Sequence, residues 1–163
     1  MSLALRLSRR HALTLLALSP VFTGPAMAAP PINDLAAGLL GARTSFAILG
    51  YDPVAYFTLG KPVKGNEAFT HVWKGAKWLF VSAENRALFV ADPERYAPQY
   101  GGYCAYGVAR GYLVSIEPDK YAVIDGKLYL NYNADVQAKW SKDPARYITE
   151  ANSRFPELLK TDP

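Results

Sequence analysis

The chain of 163 residues contains a single cysteine, Cys104, and only two histidines and two methionines. Both methionines and one of the histidines lie in the first 28 residues, so His71 and Cys104 are the remaining side chains of those types. A lone cysteine cannot form a disulfide within its own chain, and a zinc site of three histidines is excluded within one subunit. This scarcity of metal-binding and catalytic residue types favours a protein that is not an enzyme.

Residues 1–28 are typical of an export signal. Arg9 and Arg10 precede an apolar run over residues 12–18, and an A-x-A cleavage pattern ends at Ala28. The apolar run is too short to cross a membrane, which takes about 20 residues. The stretch SRRHAL is similar to a twin-arginine signal. We therefore predict cleavage after Ala28 and an exported, periplasmic protein without a membrane span.

Charge gives little support for nucleic-acid binding. The chain has 18 basic and 14 acidic residues, and its leader takes Arg6, Arg9 and Arg10 but no acidic residue. The exported part is therefore close to neutral and contains no run of Lys or Arg, whereas binding to a phosphate backbone requires clustered positive charge.

The rest of the chain is predicted to be one domain, over residues 46–160, behind a lead-in of residues 29–45 that wraps the surface or stays mobile. Alternating residues on either side of Gly75 predict a first hairpin, over residues 69–74 and 77–81. A second hairpin, over residues 121–132, is predicted from an Asp-Gly pair that suits a type I′ turn.

N-cap residues predict where the helices begin. Ser82, Asn133 and Asp143 are residue types that cap helices, and they predict helices over residues 83–91, 134–142 and 144–152. Together with the hairpins, these helices indicate an α+β fold: a small antiparallel sheet built from hairpins, packed helices, and two helices at the C-terminus. We find no internal repeat in the sequence.

Two stretches carry a family resemblance: GYDPVAYFTLGKPVKG, and WKGAKWLFVSAENRALFVADPERYAPQYGGYCAYG. They resemble the YHS domain family and, within it, exported bacterial proteins built from a single such domain. The resemblance covers about Gly50 to Trp140 and implies a small α+β domain associated with metals, copper above all. Better-known members carry a cysteine pair at the junction of hairpin and helix. Val81 and Asn85 stand at those places here, so the usual metal-binding pair is missing.

The segment YGGYCAYG makes Cys104 the main candidate for chemistry. If a helix runs through Arg110, Cys104 falls in its first turn, where free amides and the positive helix end lower a thiol pKa. Tyr103 and Tyr106 would then shield the sulfur from bulk water. The alternative is that Cys104 is a small hydrophobic residue in a gap under tyrosines.

His71 is the second candidate ligand. Strict alternation in the first hairpin places His71 on the same face as Trp73, and the alternative to a ligand is a histidine at the surface or sheet edge. Asp52, which precedes Pro53, is expected to stabilise a turn rather than to bind metal.

Three functional classes remain open from the sequence. The first is a metal-binding protein that handles copper through Cys104 and His71, with two chains meeting around one ion as a homodimer. The second is a non-catalytic domain that binds another envelope protein. The third is a thiol redox sensor in which His71 acts as the base for Cys104.

Overall fold

The computed structural model describes residues 28–36 and 43–160. The predicted export signal lies outside the described residues, apart from Ala28. The helices are α1 (Ala55–Thr58), α2 (Ala83–Ala91), α3 (Pro93–Tyr96), α4 (Ala105–Arg110), α5 (Ala134–Trp140) and α6 (Pro144–Leu158). The strands are β1 (Asn66–Trp73), β2 (Ala76–Phe80), β3 (Glu117–Ile124) and β4 (Lys127–Asn131). The α+β class is confirmed, although β1–β2 and β3–β4 form two separate antiparallel sheets.

The predicted N-caps are confirmed. The side chains of Ser82, Asn133 and Asp143 each accept a hydrogen bond from the backbone N–H three residues on, at 3.2, 2.9 and 3.2 Å. Helix α3, which begins at Pro93 under the cap of Asp92, was not predicted. Helix α6 also runs further than predicted, to Leu158.

Both hairpins turn on two residues with positive φ. These residues are Lys74 and Gly75 in the first hairpin, and Asp125 and Gly126 in the second. Positive φ at both central positions is the requirement of a type I′ turn, as predicted for the second hairpin. None of the helices in the described part of the chain is long and apolar enough to span a membrane.

The two hairpins belong to an internal repeat, so the expectation of no repeat was wrong. Each hairpin has a strand of eight residues followed by one of five, with a register shift at the same place in the longer strand. The residues over 70–96 have counterparts 51 positions later, over 121–147, and the stretches DPERY and DPARY begin α3 and α6. We call residues 47–96 the first unit and residues 99–158 the second unit.

The repeat includes the 3-10 turn that precedes each hairpin. In the turn over Ala47–Gly50, φ is +43°, +58° and +73° at its last three residues; over Gln99–Gly102 it is +56°, +62° and +85°. An extended tyrosine follows each turn, and then comes Asp52 in the first unit and Cys104 in the second. Asp52 and Cys104 therefore occupy equivalent places in the backbone.

The described part of the lead-in packs into the fold rather than lying loosely on its surface. Ile32 belongs to the core shared by the two units, and Asn33 is buried. The Asn33 side-chain amide donates to the carbonyl of Gly102 at 2.8 Å, and its backbone N–H donates to the carbonyl of Gly101 at 2.9 Å. The Tyr103 hydroxyl donates to the carbonyl of Pro30 at 3.1 Å. We call residues 30–33 the lead-in strap; its contacts fix the turn over residues 99–102 that leads into Cys104.

Candidate functional site

Cys104 is the N-cap residue of α4, one position before the first turn in which we expected it. Its sulfur accepts a hydrogen bond from the backbone N–H of Gly107 at 3.4 Å. The residue is 1% exposed and lies beside β4, where it forms a bridge with Leu130. The helix start therefore does present amides to the sulfur, as the sequence suggested.

The expected lowering of the thiol pKa was wrong in direction. Burial raises the pKa of the Cys104 thiol, because a thiolate loses its hydration in the protein interior. The backbone N–H groups of Gly107, Tyr132 and Tyr106 lower that pKa, but they do not outweigh burial. At neutral pH the sulfur is a thiol that surrounding amides are placed to stabilise once it loses its proton.

An apolar pocket of about 190 Å³ has Cys104 in its lining. We call it the Cys104 pocket; its lining residues are Cys104, Tyr106, Gly107, Tyr112, Val114, Tyr132 and Val136. Tyr112 is 49% exposed, so the pocket reaches the surface of the molecule. Tyr106 lines this pocket beside Cys104, whereas Tyr103 packs in a second buried cluster with Tyr129 and Trp140.

Asn131 is the residue of the site that the sequence analysis missed. It ends β4 and is fully buried, and its Oδ1 lies 3.9 Å from the Cys104 sulfur, positioned to accept the S–H. Its Nδ2 has no hydrogen-bond partner among the described residues. A buried donor without a partner is costly, on the order of 1–3 kcal/mol. The only signal in the sequence was a polar residue at the end of the strand KLYLN.

The equivalent place in the first unit shows the same backbone with all its polar groups paired. Asp52 is fully buried, and its Oδ1 accepts from the backbone N–H groups of Val54 and Ala55 at 2.8 and 3.4 Å. Its Oδ2 accepts from the N–H of Val81 at 2.9 Å and from the side-chain amide of Asn85 at 2.7 Å. Asp52 thus stabilises its turn, as expected, and also ties it to the start of α2.

The repeat explains why a pocket lies beside Cys104. Val81 and Asn85 correspond to Tyr132 and Val136, which line the Cys104 pocket. The backbone N–H of Val81 donates to Asp52, and that of Tyr132 lowers the pKa of Cys104. Val136, however, has no side-chain amide to match the one that Asn85 donates to Asp52. The second unit therefore has an apolar pocket at the place where the first unit has a side-chain hydrogen bond.

His71 lies in the other hairpin. It pairs with Trp78 across β1–β2, and its ring is 6.3 Å from that of Phe89, on the face that it shares with Trp73. No hydrogen bond or ring contact in the described part of the chain joins His71 to Cys104. No group of three or more His, Cys, Asp or Glu side chains is placed to hold a metal ion among residues 28–36 and 43–160.

The comparisons with known proteins assign no family. No protein-family model, no curated protein and no solved structure matches the chain.

Proposed function

We propose that this chain is an exported, YHS-like domain that accepts copper(I) as cargo on the sulfur of Cys104. The proposal rests on one observation: the single thiol borders an apolar pocket that opens to the surface, and three of the lining residues also contribute backbone N–H groups that lower the pKa of its thiol. A soft sulfur ligand selects copper(I) over harder ions, and apolar walls exclude competing water ligands.

Metal binding would offset the raised thiol pKa. Because only the thiolate is a ligand, copper(I) displaces the proton, and the N–H groups of Gly107, Tyr132 and Tyr106 stabilise the charge that remains on sulfur. Protons compete with copper(I) for the sulfur, and the raised thiol pKa makes this competition strongest at low pH. Copper affinity should accordingly increase with pH.

A resident metal site of the usual family type does not fit this chain. The places of the cysteine pair hold Val81 and Asn85, which Asp52 joins through hydrogen bonds. The second unit has Tyr132 and Val136 at the corresponding positions, and neither side chain is a soft ligand. Copper(I) would therefore be held by one protein sulfur, as a transient cargo.

The second ligand of the ion has to come from outside the chain. The sequence after residue 27 has no methionine and no other cysteine. Two chains that share an ion between their sulfurs would have to displace the pocket walls, because Cys104 is 1% exposed. A thiol or thioether of a carrier that enters the pocket meets the sulfur without that cost. His71 joins such a site only if it is contributed by a second chain.

The test is an anaerobic copper(I) titration against a chromogenic chelator, with and without a small thioether in solution. We expect one equivalent bound per chain in the presence of the thioether, and none by Cys104→Ser. His71→Gln is the matched control and should bind as wild type. Equal uptake by wild type and Cys104→Ser would rule out the proposal, and it would leave the domain as a partner-binding module.

Export is tested separately. The chain expressed in a bacterium with two membranes should appear in the periplasm with an N-terminus at Ala29, and Arg9→Lys with Arg10→Lys should reduce export. A full-length chain retained in the cytoplasm would contradict this part of the proposal.

A further inference from the structure

We infer that Cys104 is a modification site for small hydroperoxides, at which the sulfur is oxidised to an anion that the surrounding amides hold as the first unit holds Asp52. This inference goes beyond copper binding and shares with it only a sulfur that is reachable through the pocket.

The first observation is the equivalence of the two places. The backbone around Asp52 binds a two-oxygen anion through N–H donors from its own turn and from Val81. The same backbone around Cys104 donates the N–H of Gly107 to the sulfur at 3.4 Å, and the N–H groups of Tyr132 and Tyr106 also lower the pKa of the thiol. A cysteine sulfinate has two oxygens on one central atom, as a carboxylate does. The second unit is therefore built for an anion but contains a neutral thiol.

The second observation is the unpartnered amide of Asn131. Asn131 is fully buried, faces the sulfur with its Oδ1 at 3.9 Å, and has no partner for Nδ2 among the described residues. Oxygen added to the sulfur supplies an acceptor for Nδ2, because rotation of the side-chain amide turns its N–H groups toward the site. Phe80 occupies the corresponding position in the first unit, where Asn85 supplies the amide instead.

The reaction proceeds in two balanced steps. The deprotonated sulfur attacks the distal oxygen of the hydroperoxide; an S–O bond forms, the O–O bond breaks, and the leaving alkoxide takes up the proton lost by the thiol. The sulfur loses two electrons to give a sulfenic acid, and the hydroperoxide is reduced to an alcohol, or to water when hydrogen peroxide reacts. A second hydroperoxide oxidises the sulfenate to a sulfinate in the same way. No second cysteine in the chain can divert the sulfenic acid into an internal disulfide.

The first test uses hydrogen peroxide and tert-butyl hydroperoxide on the purified chain, read by mass spectrometry of the Cys104 peptide and by thermal unfolding. We expect addition of one and then two oxygen atoms at Cys104, with a rise in Tm as the sulfinate forms. Asn131→Leu removes one buried hydrogen bond to an anion. The factor by which oxidation lowers the equilibrium constant of unfolding should therefore be about tenfold smaller in this variant than in the wild type. Phe80→Leu, at the corresponding position of the first unit, is the matched control.

The second test needs no oxidation. Cys104→Asp places a carboxylate where the sulfinate would lie, and Cys104→Asn is its neutral counterpart. We expect the Asp variant to unfold with an equilibrium constant about tenfold smaller than that of the Asn variant at pH 7. This advantage should vanish as the pH falls through the carboxyl pKa.

Two results would overturn the inference. One is a Cys104 that stays reduced at peroxide concentrations that oxidise the urea-unfolded chain. The other is an oxidised chain, or a Cys104→Asp variant, that is less stable than its neutral counterpart. If Asn131→Leu fails to fold, the Asn131 side-chain amide resonance of the wild-type chain decides: a shift on oxidation supports the contact, and no shift contradicts it. Copper titration separates this inference from the proposed function: a chain that takes up copper(I) on Cys104 but resists peroxide overturns the inference alone, and a chain that does neither has an unreachable sulfur.

Discussion

The two units of the fold share one backbone plan and use it for different chemistry. In the first unit the buried acidic group is Asp52, whose two oxygens accept four hydrogen bonds. In the second unit it is Cys104, which has fewer and weaker contacts and a pocket beside it. The first unit thus fills this place with hydrogen bonds, while the second unit has a thiol beside an apolar pocket there.

Two paired exchanges produce the difference. Asn85 on α2 becomes Val136 on α5, which removes the amide from the helix side. Phe80 on β2 becomes Asn131 on β4, which introduces an amide on the strand side. The side-chain amide near the buried group therefore lies on helix α2 in the first unit and on strand β4 in the second. The space beside helix α5 of the second unit is apolar.

The largest expected effect comes from Asp52→Ala. Removal of this carboxylate leaves buried N–H groups and the Asn85 amide without an acceptor, so we expect a loss of about 3 kcal/mol or more in the free energy of unfolding. Urea denaturation measures it. Cys104→Ala, the same change in the second unit, should cost about 1–2 kcal/mol, since it deletes little more than a small buried side chain. Equal losses of free energy of unfolding in the two variants would contradict the inference that Asp52 stabilises its unit more than Cys104 does.

Gly101→Ala is expected to follow in size. Gly101 has φ +62°, and a Cβ there would lie 1.9 Å from the carbonyl oxygen of Pro31. Its counterpart Leu49 carries a side chain at φ +58°, so the lead-in strap, and not the dihedral alone, requires glycine. We expect a loss of about 2–4 kcal/mol. Gly60→Ala, also at φ +62° but with open space around it, should cost about 1 kcal/mol.

The local elements of both units were predictable because their signals are local. The caps Ser82 and Asn133 and the Asp-Gly turn act within a few residues of themselves, and each lies where it was expected. The repeat was missed because different side chains occupy most of its equivalent positions. What is kept is a backbone plan: a turn with positive φ, a hairpin and a capped helix.

The site was only partly predictable, for a different reason. Cys104 stood out by its rarity and its neighbouring glycines, and the helix after it was expected. Its burial and the approach of Asn131 depend on β4 packing against α4, which no short-range pattern reports. The proposed pairing with His71 was a guess from residue type alone, and the structure places that residue in the other hairpin.

Alkaline pH should weaken the second unit more than the first. In the second unit burial raises the pKa of Tyr103 to about 12 and also raises the pKa of Tyr100, Tyr129 and Cys104. In the first unit burial raises the pKa of one tyrosine, Tyr56. In the unfolded chain these groups lose protons at about pH 8.5 for Cys and 10 for Tyr, while the folded chain still holds them. The folded chain therefore loses free energy of unfolding as the pH rises above the pKa that each group has in the unfolded chain. We expect a fall on the order of 1 kcal/mol between pH 8 and 10.

Hydrogen exchange and urea denaturation at the two pH values measure this fall. Amides of β4 and α4 should lose protection before those of β2 and α2. Because Cys104 has a lower pKa in the unfolded chain, about 8.5, than the tyrosines, Cys104→Ala should remove the early part of the fall. A decline that starts in the first unit would count against the assignment.

The smallest expected effect concerns an ion pair that only one of the two hairpins has at this position. Lys74, in the first hairpin turn, contacts Glu94 of α3 at 2.8 Å, whereas Asp125 and Ala145 stand at the corresponding positions of the second unit. Both side chains of the pair are largely exposed, so Glu94→Gln should cost at most about 0.5 kcal/mol. The difference from wild type should disappear at high salt, which screens exposed charges. A loss that persists in salt would mean that Glu94 holds α3 against the hairpin by contacts other than charge, and that the two units differ in packing there as well as in chemistry.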